Sequence, residues 1–226
     1  MHVPPKSVFS SNVLAYQFSL HIPFELPNDV EWILPYKEEE TRRCMTDFYE
    51  KYYSDHLNRR FILGINPGRF GAGVTGVPFT DPIRLEKIGI ENTFQKRQEL
   101  SSVFIYDMIQ TFGGPDSFYQ QFYISSLSPL GFLRHGKNYN YYDDNTLSTL
   151  LRDYIIENIQ TQIQFGADRS EVYCLGQGKN FTYLENLNRE FGWWDKVVPL
   201  PHPRWIMQYK LKRKAEFIKM YLDAFR

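Results

Sequence analysis

Residues 64–79 read Gly64-Ile65-Asn66-Pro67-Gly68-Arg69-Phe70-Gly71-Ala72-Gly73-Val74-Thr75-Gly76-Val77-Pro78-Phe79, directly after the apolar run Phe61-Ile62-Leu63. A short apolar run that meets five glycines and two prolines predicts a buried strand that ends in a backbone-dense loop. Glycines let main-chain N–H groups approach a ligand, and prolines stiffen the path of the chain. The loop is therefore predicted to hold either a small flat group or an anion.

The length and composition indicate one soluble, intracellular globular unit. The 226 residues contain no linker-like stretch, so we expect a single domain over residues 1–226. Residues 1–35 contain prolines and no steady period, which predicts an irregular N-terminal arm. The formal net charge is zero and does not by itself indicate a nucleic-acid partner. We find neither a signal-peptide core nor a run of membrane-spanning length, so we expect no membrane partner. The expected location is intracellular, and in a bacterium the cytoplasm or nucleoid.

Cysteine and histidine spacing gives no indication of a metal or a cofactor. Cys44 and Cys174 form no Cys-x-x-Cys pair and are too few for a four-thiolate iron–sulfur cluster. The five histidines show no His-Glu-x-x-His spacing. We therefore expect no metal, no cofactor and no disulfide scaffold.

Predicted strands alternate with predicted helices along the chain. Strands are expected at residues 61–65, 121–124, 171–175 and 196–200. Helices are expected at about residues 36–53, 147–163 and 178–192, and one terminal helix is expected through Leu222. A further helix is expected to start at a Ser101 or Ser102 cap and to end at Gly113. Residues 136–144 are expected to form an exposed loop. This order predicts an α/β fold of three α/β/α layers around a mostly parallel four-stranded sheet.

The predicted sheet brings polar residues to one edge. In open parallel sheets, ligands bind beyond the carboxyl ends of the strands. The glycine loop, Ser125-Ser126, Gly176-Gln177-Gly178 and His202 each follow a strand, so all four are expected at that edge.

The glycine loop does not match the common nucleotide-binding motifs. A P-loop needs Lys-Ser or Lys-Thr after its second glycine, but Gly76 is followed by Val77-Pro78. A dinucleotide fingerprint passes at once into a helix, whereas Pro78 and Pro82 prolong this loop. Gly-x-Ser-x-Gly is absent, which argues against a serine hydrolase. The neutral amide of Asn66 can orient a water but cannot act as a base, and it is equally suited to an ordinary turn.

The residues of this loop match a known family. Residues 64–71, continuing through 75–79, closely resemble the first motif of the single-strand-selective monofunctional uracil-DNA glycosylases. The similarity resumes at residues 98–102 and 118–133 and at the His202-Pro203 pair, and it covers the chain from roughly residue 30 to the end. The first motif is long and specific, while a His-Pro pair alone carries no weight.

The resemblance implies a monomeric, monofunctional enzyme of base excision repair that flips a deaminated base out of DNA and hydrolyses its N-glycosidic bond. It implies that Asn66 positions the attacking water and that His202 donates a hydrogen bond to the departing base. The base would lie on Phe79. The other residues that the resemblance assigns to base binding are Gly64, Ile65, Gly68 and Ser126, and those that it assigns to DNA binding are Ser101, Ser102, Pro203, Arg204 and Trp205. No lysine in the motifs is placed to form a Schiff base.

Two departures from the family indicate a divergent branch. Ser126 stands where the family has an asparagine that reads the pyrimidine edge with a donor and an acceptor, so hypoxanthine and xanthine join uracil as candidate substrates. Arg204 and Trp205 directly follow His202-Pro203, which shortens the second motif. Two alternatives remain open from sequence: a damage-binding module without chemistry, and a nucleotide-dependent enzyme.

Overall fold

The computed structural model describes residues 8–22 and 24–226. Its helices are α1 (Phe9–Ser19), α2 (Glu39–Tyr53), α3 (Ala72–Thr75), α4 (Pro82–Lys87), α5 (Leu100–Phe112), α6 (Pro115–Tyr119), α7 (Asn145–Ile163), α8 (Lys179–Phe191), α9 (Pro203–Tyr209) and α10 (Lys214–Ala224). Its strands are β1 (Val30–Ile33), β2 (Arg59–Gly64), β3 (Phe122–Ser126), β4 (Gly131–Arg134), β5 (Lys137–Tyr139), β6 (Ala167–Leu175) and β7 (Val197–Leu200). Within the described ranges, no helix is long and apolar enough to cross a membrane.

The central sheet is parallel and has the order β3-β2-β6-β7. All five residues of β3 are buried, as expected for a strand that is covered by helices on both faces. The register pairs Gly64 with Ser126, and Leu175 with Leu200, so the four strands end at one edge. This three-layer α/β/α architecture confirms the predicted fold class.

A second, antiparallel sheet has the order β1-β4-β5 and was not predicted. The turn between β4 and β5 is made by His135 and Gly136, both at positive φ. The stretch 136–144, predicted to be an exposed loop, therefore includes a strand. This hairpin carries residues 138–142 over the end of β2, where the candidate site lies.

Three other expectations require correction. The predicted irregular N-terminal arm contains α1 and β1, while its residues 1–7 and 23 lie outside the described residues. The face of α1 that packs inward includes the polar residues Ser10 and Gln17, so no clean apolar period marks this helix. The predicted single terminal helix is two helices separated by a 3-10 turn at Leu211–Arg213. Neither Ser101 nor Ser102 caps α5, whose N-cap is Glu99.

Candidate functional site

A cavity of about 350 Å³ lies at the carboxyl ends of the central strands. This volume is within the range of small-molecule sites. It is lined by the glycine loop, the end of β3, the segment after β5, the residue before α5, and α9. The lining residues are Ile65, Asn66, Pro67, Gly68, Ala72, Pro78, Phe79, Glu99, Ser101, Ser126, Asn138, Asn140, Tyr142, His202, Arg204, Trp205, Gln208 and Tyr209.

The side chain of Asn66 is held in one orientation by the segment after β5. Its Nδ2 donates to the carbonyl of Tyr139 at 3.2 Å, and its Oδ1 accepts the N–H of Tyr141 at 3.3 Å. These two contacts assign the amide oxygen and nitrogen without ambiguity. Because an amide oxygen has two lone pairs, Oδ1 retains one that can hold a water.

The hydroxyl of Ser126 is open to the same cavity. Ser126 ends β3 beside Gly64 and is 7% exposed. Its neighbour Ser125 faces away and donates to Gln162 at 2.6 Å. The Ser126 side chain has no hydrogen-bond partner among residues 8–22 and 24–226, so its single hydroxyl is free for a ligand.

Phe79 adopts an unusual backbone conformation with φ of 53°. This region costs a non-glycine residue ~1–3 kcal/mol and persists only where the surroundings enforce it. Thr75 Oγ1 donates to the carbonyl of Thr80 at 2.6 Å and so fixes the residue that follows Phe79. A Cβ on Gly64 would lie 3.0 Å from the Phe79 ring. The absent side chain of Gly64 thus makes room for the ring in the cavity wall.

His202 caps α9 and presents a defined tautomer. Its Nδ1 accepts the N–H of Arg204 at 3.1 Å, so Nδ1 carries no proton. Burial, aided by the Arg204 charge, lowers the pKa of His202 to about 4. The imidazole is therefore neutral at physiological pH, and its remaining proton lies on Nε2, which acts as a donor.

Glu99 places a carboxyl group against the glycine loop. Its Oε2 accepts the hydroxyl of Ser102 at 3.2 Å, while Oε1 lies 3.2 Å from where a Cβ of Gly68 would be. A Cβ on Gly71 would lie only 2.0 Å from Oε2, so Gly71 is required for this approach. Burial raises the pKa of Glu99 to about 7, the nearby Asp81 charge adds to the rise, and Ser102 and Arg204 oppose it.

A second cavity of about 520 Å³ shares Glu99, Ser101, Asn138 and Arg204 with the first and is rich in cations. Its basic lining residues are Arg69, Arg97, Lys137 and Arg204, and none of them forms an ion pair with another described residue. Arg97 also lies 3.5 Å from the ring centroid of Phe70. Unpaired cations around a groove favour an anionic ligand.

Most of the residues predicted from sequence meet in the first cavity. It contains Ile65, Asn66, Gly68, Phe79, Ser101, Ser126, His202, Arg204 and Trp205. Three predicted residues do not line it, namely Gly64, Ser102 and Pro203. Ser102 is fully buried and its hydroxyl donates to Glu99, and Pro203 is buried at the start of α9. The turn 176–178 lies at the expected edge of the sheet, where the Gly176 N–H donates to the Leu200 carbonyl at 2.8 Å, but it does not line the cavity.

Sequence reasoning missed several lining residues. Asn138, Asn140 and Tyr142 lie in the stretch that was expected to be exposed. Gln208 and Tyr209 follow the shortened second motif on α9. Glu99 lies inside the similar stretch 98–102 but was not singled out, since an isolated glutamate is usually a surface residue.

The comparisons with known proteins agree with this geometry. Residues 50–226 match the family model described as "Uracil DNA glycosylase superfamily". The chain therefore belongs to the uracil-DNA glycosylase superfamily, and it is a DNA glycosylase, a hydrolase of N-glycosyl bonds. A crystal structure of wild-type SMUG2 from Pedobacter heparinus is similar, with 43% sequence identity and a TM-score of 0.93, over 96% of this chain and 97% of that chain. A search of curated proteins found no match.

Proposed function

We propose that the first cavity binds uracil or another deaminated base that has been extruded from DNA, and that it hydrolyses the N-glycosidic bond as a step of base excision repair. The observation that carries this proposal is the fixed Asn66 amide in one cavity with a neutral, Nε2-protonated His202. These are a water-orienting group and a donor for a developing anion.

The chemistry of the Asn66 amide determines which step of the reaction comes first. A water held on Oδ1 is aimed at the sugar, but an amide does not accept the proton of that water. The bond between sugar and base therefore breaks first, which leaves a cationic sugar and an anionic base. Water then adds to the sugar, and the proton that it loses is taken up by the anionic base, so the products are an abasic sugar and the neutral base.

His202 stabilises the departing base. Its Nε2–H donates to a carbonyl oxygen on which negative charge develops as the bond breaks. A neutral donor suits this role because it stays in the same protonation state through the reaction. The ring of Phe79, 6.1 Å from the imidazole centroid, supplies the surface on which the base stacks.

Ser126 sets the breadth of the substrate range. An asparagine presents both a donor and an acceptor to the base edge, whereas a serine hydroxyl presents one proton from a shorter side chain. The released space and the lost contact favour purines such as hypoxanthine and xanthine alongside uracil. Ile65 and the Gly68 backbone form the adjacent part of the cavity wall.

Exposed groups around the cavity mouth suit a DNA strand. Trp205 is 42% exposed and Tyr209 is 69% exposed. Ser101 is buried, but it lines both cavities. We assign the second, basic cavity to the phosphates of the strand next to the extruded nucleotide. No lysine among the described residues lines the base cavity, which supports a monofunctional enzyme.

The test is a strand-cleavage assay in EDTA with oligonucleotides that carry uracil, hypoxanthine or xanthine, single- and double-stranded, followed by alkali. We expect release of uracil and at least one deaminated purine, and strand breaks only after alkali. We expect the variant Ser126→Asn to shift the preference towards uracil. Absence of base release from every substrate contradicts the proposal, and an unchanged preference in Ser126→Asn shows that Ser126 does not read the base.

A further inference from the structure

Glu99 is a carboxyl group in the base cavity that neither the water nor the His202 contact uses. Its Oε2 is occupied by Ser102, but Oε1 has no hydrogen-bond partner within the described part of the chain. Oε1 lies on the Gly68 side, and Gly68 itself lines the cavity. The carboxyl group is therefore anchored through Oε2, while Oε1 is available to a ligand in the cavity.

The glycine loop is shaped around this group. Gly71 has no side chain where a methyl group would collide with Oε2, and Gly68 is bare where Oε1 approaches. The backbone N–H of Glu99 donates to Asp81 Oδ2 at 2.9 Å, which fixes the start of α5. A flexible surface glutamate would need neither the room nor the anchors.

We propose, on the basis of the function proposed above, that Glu99 binds the extruded base directly, with an Oε1 hydroxyl donating a hydrogen bond to the carbonyl oxygen that deamination creates. Deamination replaces an amino group, which is a donor, with a carbonyl oxygen, which is an acceptor. A donor at this point distinguishes the deaminated base from its parent. It also supplies the second polar contact that Ser126 is too short to make.

The surroundings of Glu99 keep the proton on the carboxyl up to about pH 7, the value to which burial raises its pKa. The pKa of Tyr142 is raised by burial to about 12, and the pKa of His202 is about 4, so neither group titrates near neutrality. The charged groups on the elements that face Glu99 are Asp81, Arg84, Arg69, Arg97, Lys137 and Arg204. A neutral carboxyl also avoids repelling the anionic base.

The test compares the single-turnover rate of uracil release by the wild type, Glu99→Gln and Glu99→Ala between about pH 5.5 and about pH 9. The wild-type rate should fall as the pH rises through about 7, since the donor proton is lost. Glu99→Gln keeps an N–H donor and a carbonyl for Ser102, so its rate should be flat across this range. Glu99→Ala should lose about tenfold at pH 6, as expected for one hydrogen bond.

Glu157→Gln is the matched control, since Glu157 is an exposed carboxylate on α7, away from the cavity. It should reproduce the wild-type profile, and thermal unfolding verifies that each variant is folded. A Glu99→Gln profile that still falls near pH 7, or a Glu99→Ala rate within twofold of the wild type, overturns the inference. If the wild type releases no base at any pH, the proposed function itself is wrong.

Discussion

His202 has two separable tasks, and the substitution His202→Asn removes only one of them. The first task is to cap α9, where Nδ1 accepts the N–H of Arg204 at 3.1 Å. Asparagine is among the best N-cap residues, so its side-chain oxygen takes over this contact. The second task is donation from Nε2, which lies on the far side of the ring and has no equivalent in the shorter asparagine.

Loss of the two contacts should have different free-energy costs. Loss of one well-aimed donor to a developing anion costs ~2.7–4 kcal/mol, or ~10²–10³ in rate. Loss of a helix cap costs ~1 kcal/mol of stability. We therefore expect His202→Asn to be as stable as the wild type within ~0.5 kcal/mol but ~100-fold slower, and His202→Ala to be equally slow and ~1 kcal/mol less stable.

Single-turnover release of uracil from a single-stranded oligonucleotide measures the rate, and urea unfolding measures the stability. If His202→Asn keeps its rate within about tenfold of the wild type, His202 is not the donor to the base. If it is as unstable as His202→Ala, the contact with the Arg204 N–H does not stabilise α9.

Three further predictions concern DNA binding, pH and the core. Arg97→Ala or Lys137→Ala should each reduce the slope of log affinity for single-stranded DNA against log salt by ~0.7, while Arg189→Ala on α8 should not. The free energy of unfolding should fall by at most ~3 kcal/mol as the pH drops from about 6.5 to about 4, because His202 is protonated in the unfolded chain but stays neutral in the folded one. Urea titrations of His202→Asn should lack this part of the loss. Arg59 is fully buried and donates to the Asp55 carboxylate and to the Tyr119 carbonyl, each at 2.7 Å. Arg59→Met should therefore lower the free energy of unfolding by ~3 kcal/mol, and an unchanged urea midpoint would contradict a structural role for Arg59.

Strand direction made the centre of the site predictable. The alternation of strands and helices gives a parallel sheet, and a parallel sheet places the residues after its strands at one edge. Asn66, Ser126 and His202 accordingly lie in one cavity. The turn at residues 176–178 also follows its strand at this edge, but it passes directly into α8 and does not line the cavity.

The parts that sequence reasoning missed depend on long-range contacts. Residues 138–142 are polar and aperiodic, and only their pairing with β4 and their hydrogen bonds to Asn66, more than 70 positions earlier, bring them to the cavity. The burial of Glu99 depends on the path of the loop around Gly68 and Gly71. Neither effect leaves a local pattern in the chain.

Asn66→Ala is the sharpest test of the proposed hydrolysis of the N-glycosidic bond, because it removes the group assigned to hold the attacking water. The measurement is single-turnover release of uracil from single-stranded DNA in EDTA. The matched control is Asn186→Ala, at an exposed position of α8 that does not line the cavity. We expect at least a tenfold slower release by Asn66→Ala, an order of magnitude typical of a catalytic contact, with the control unchanged. Release at the wild-type rate by a folded Asn66→Ala protein would contradict it.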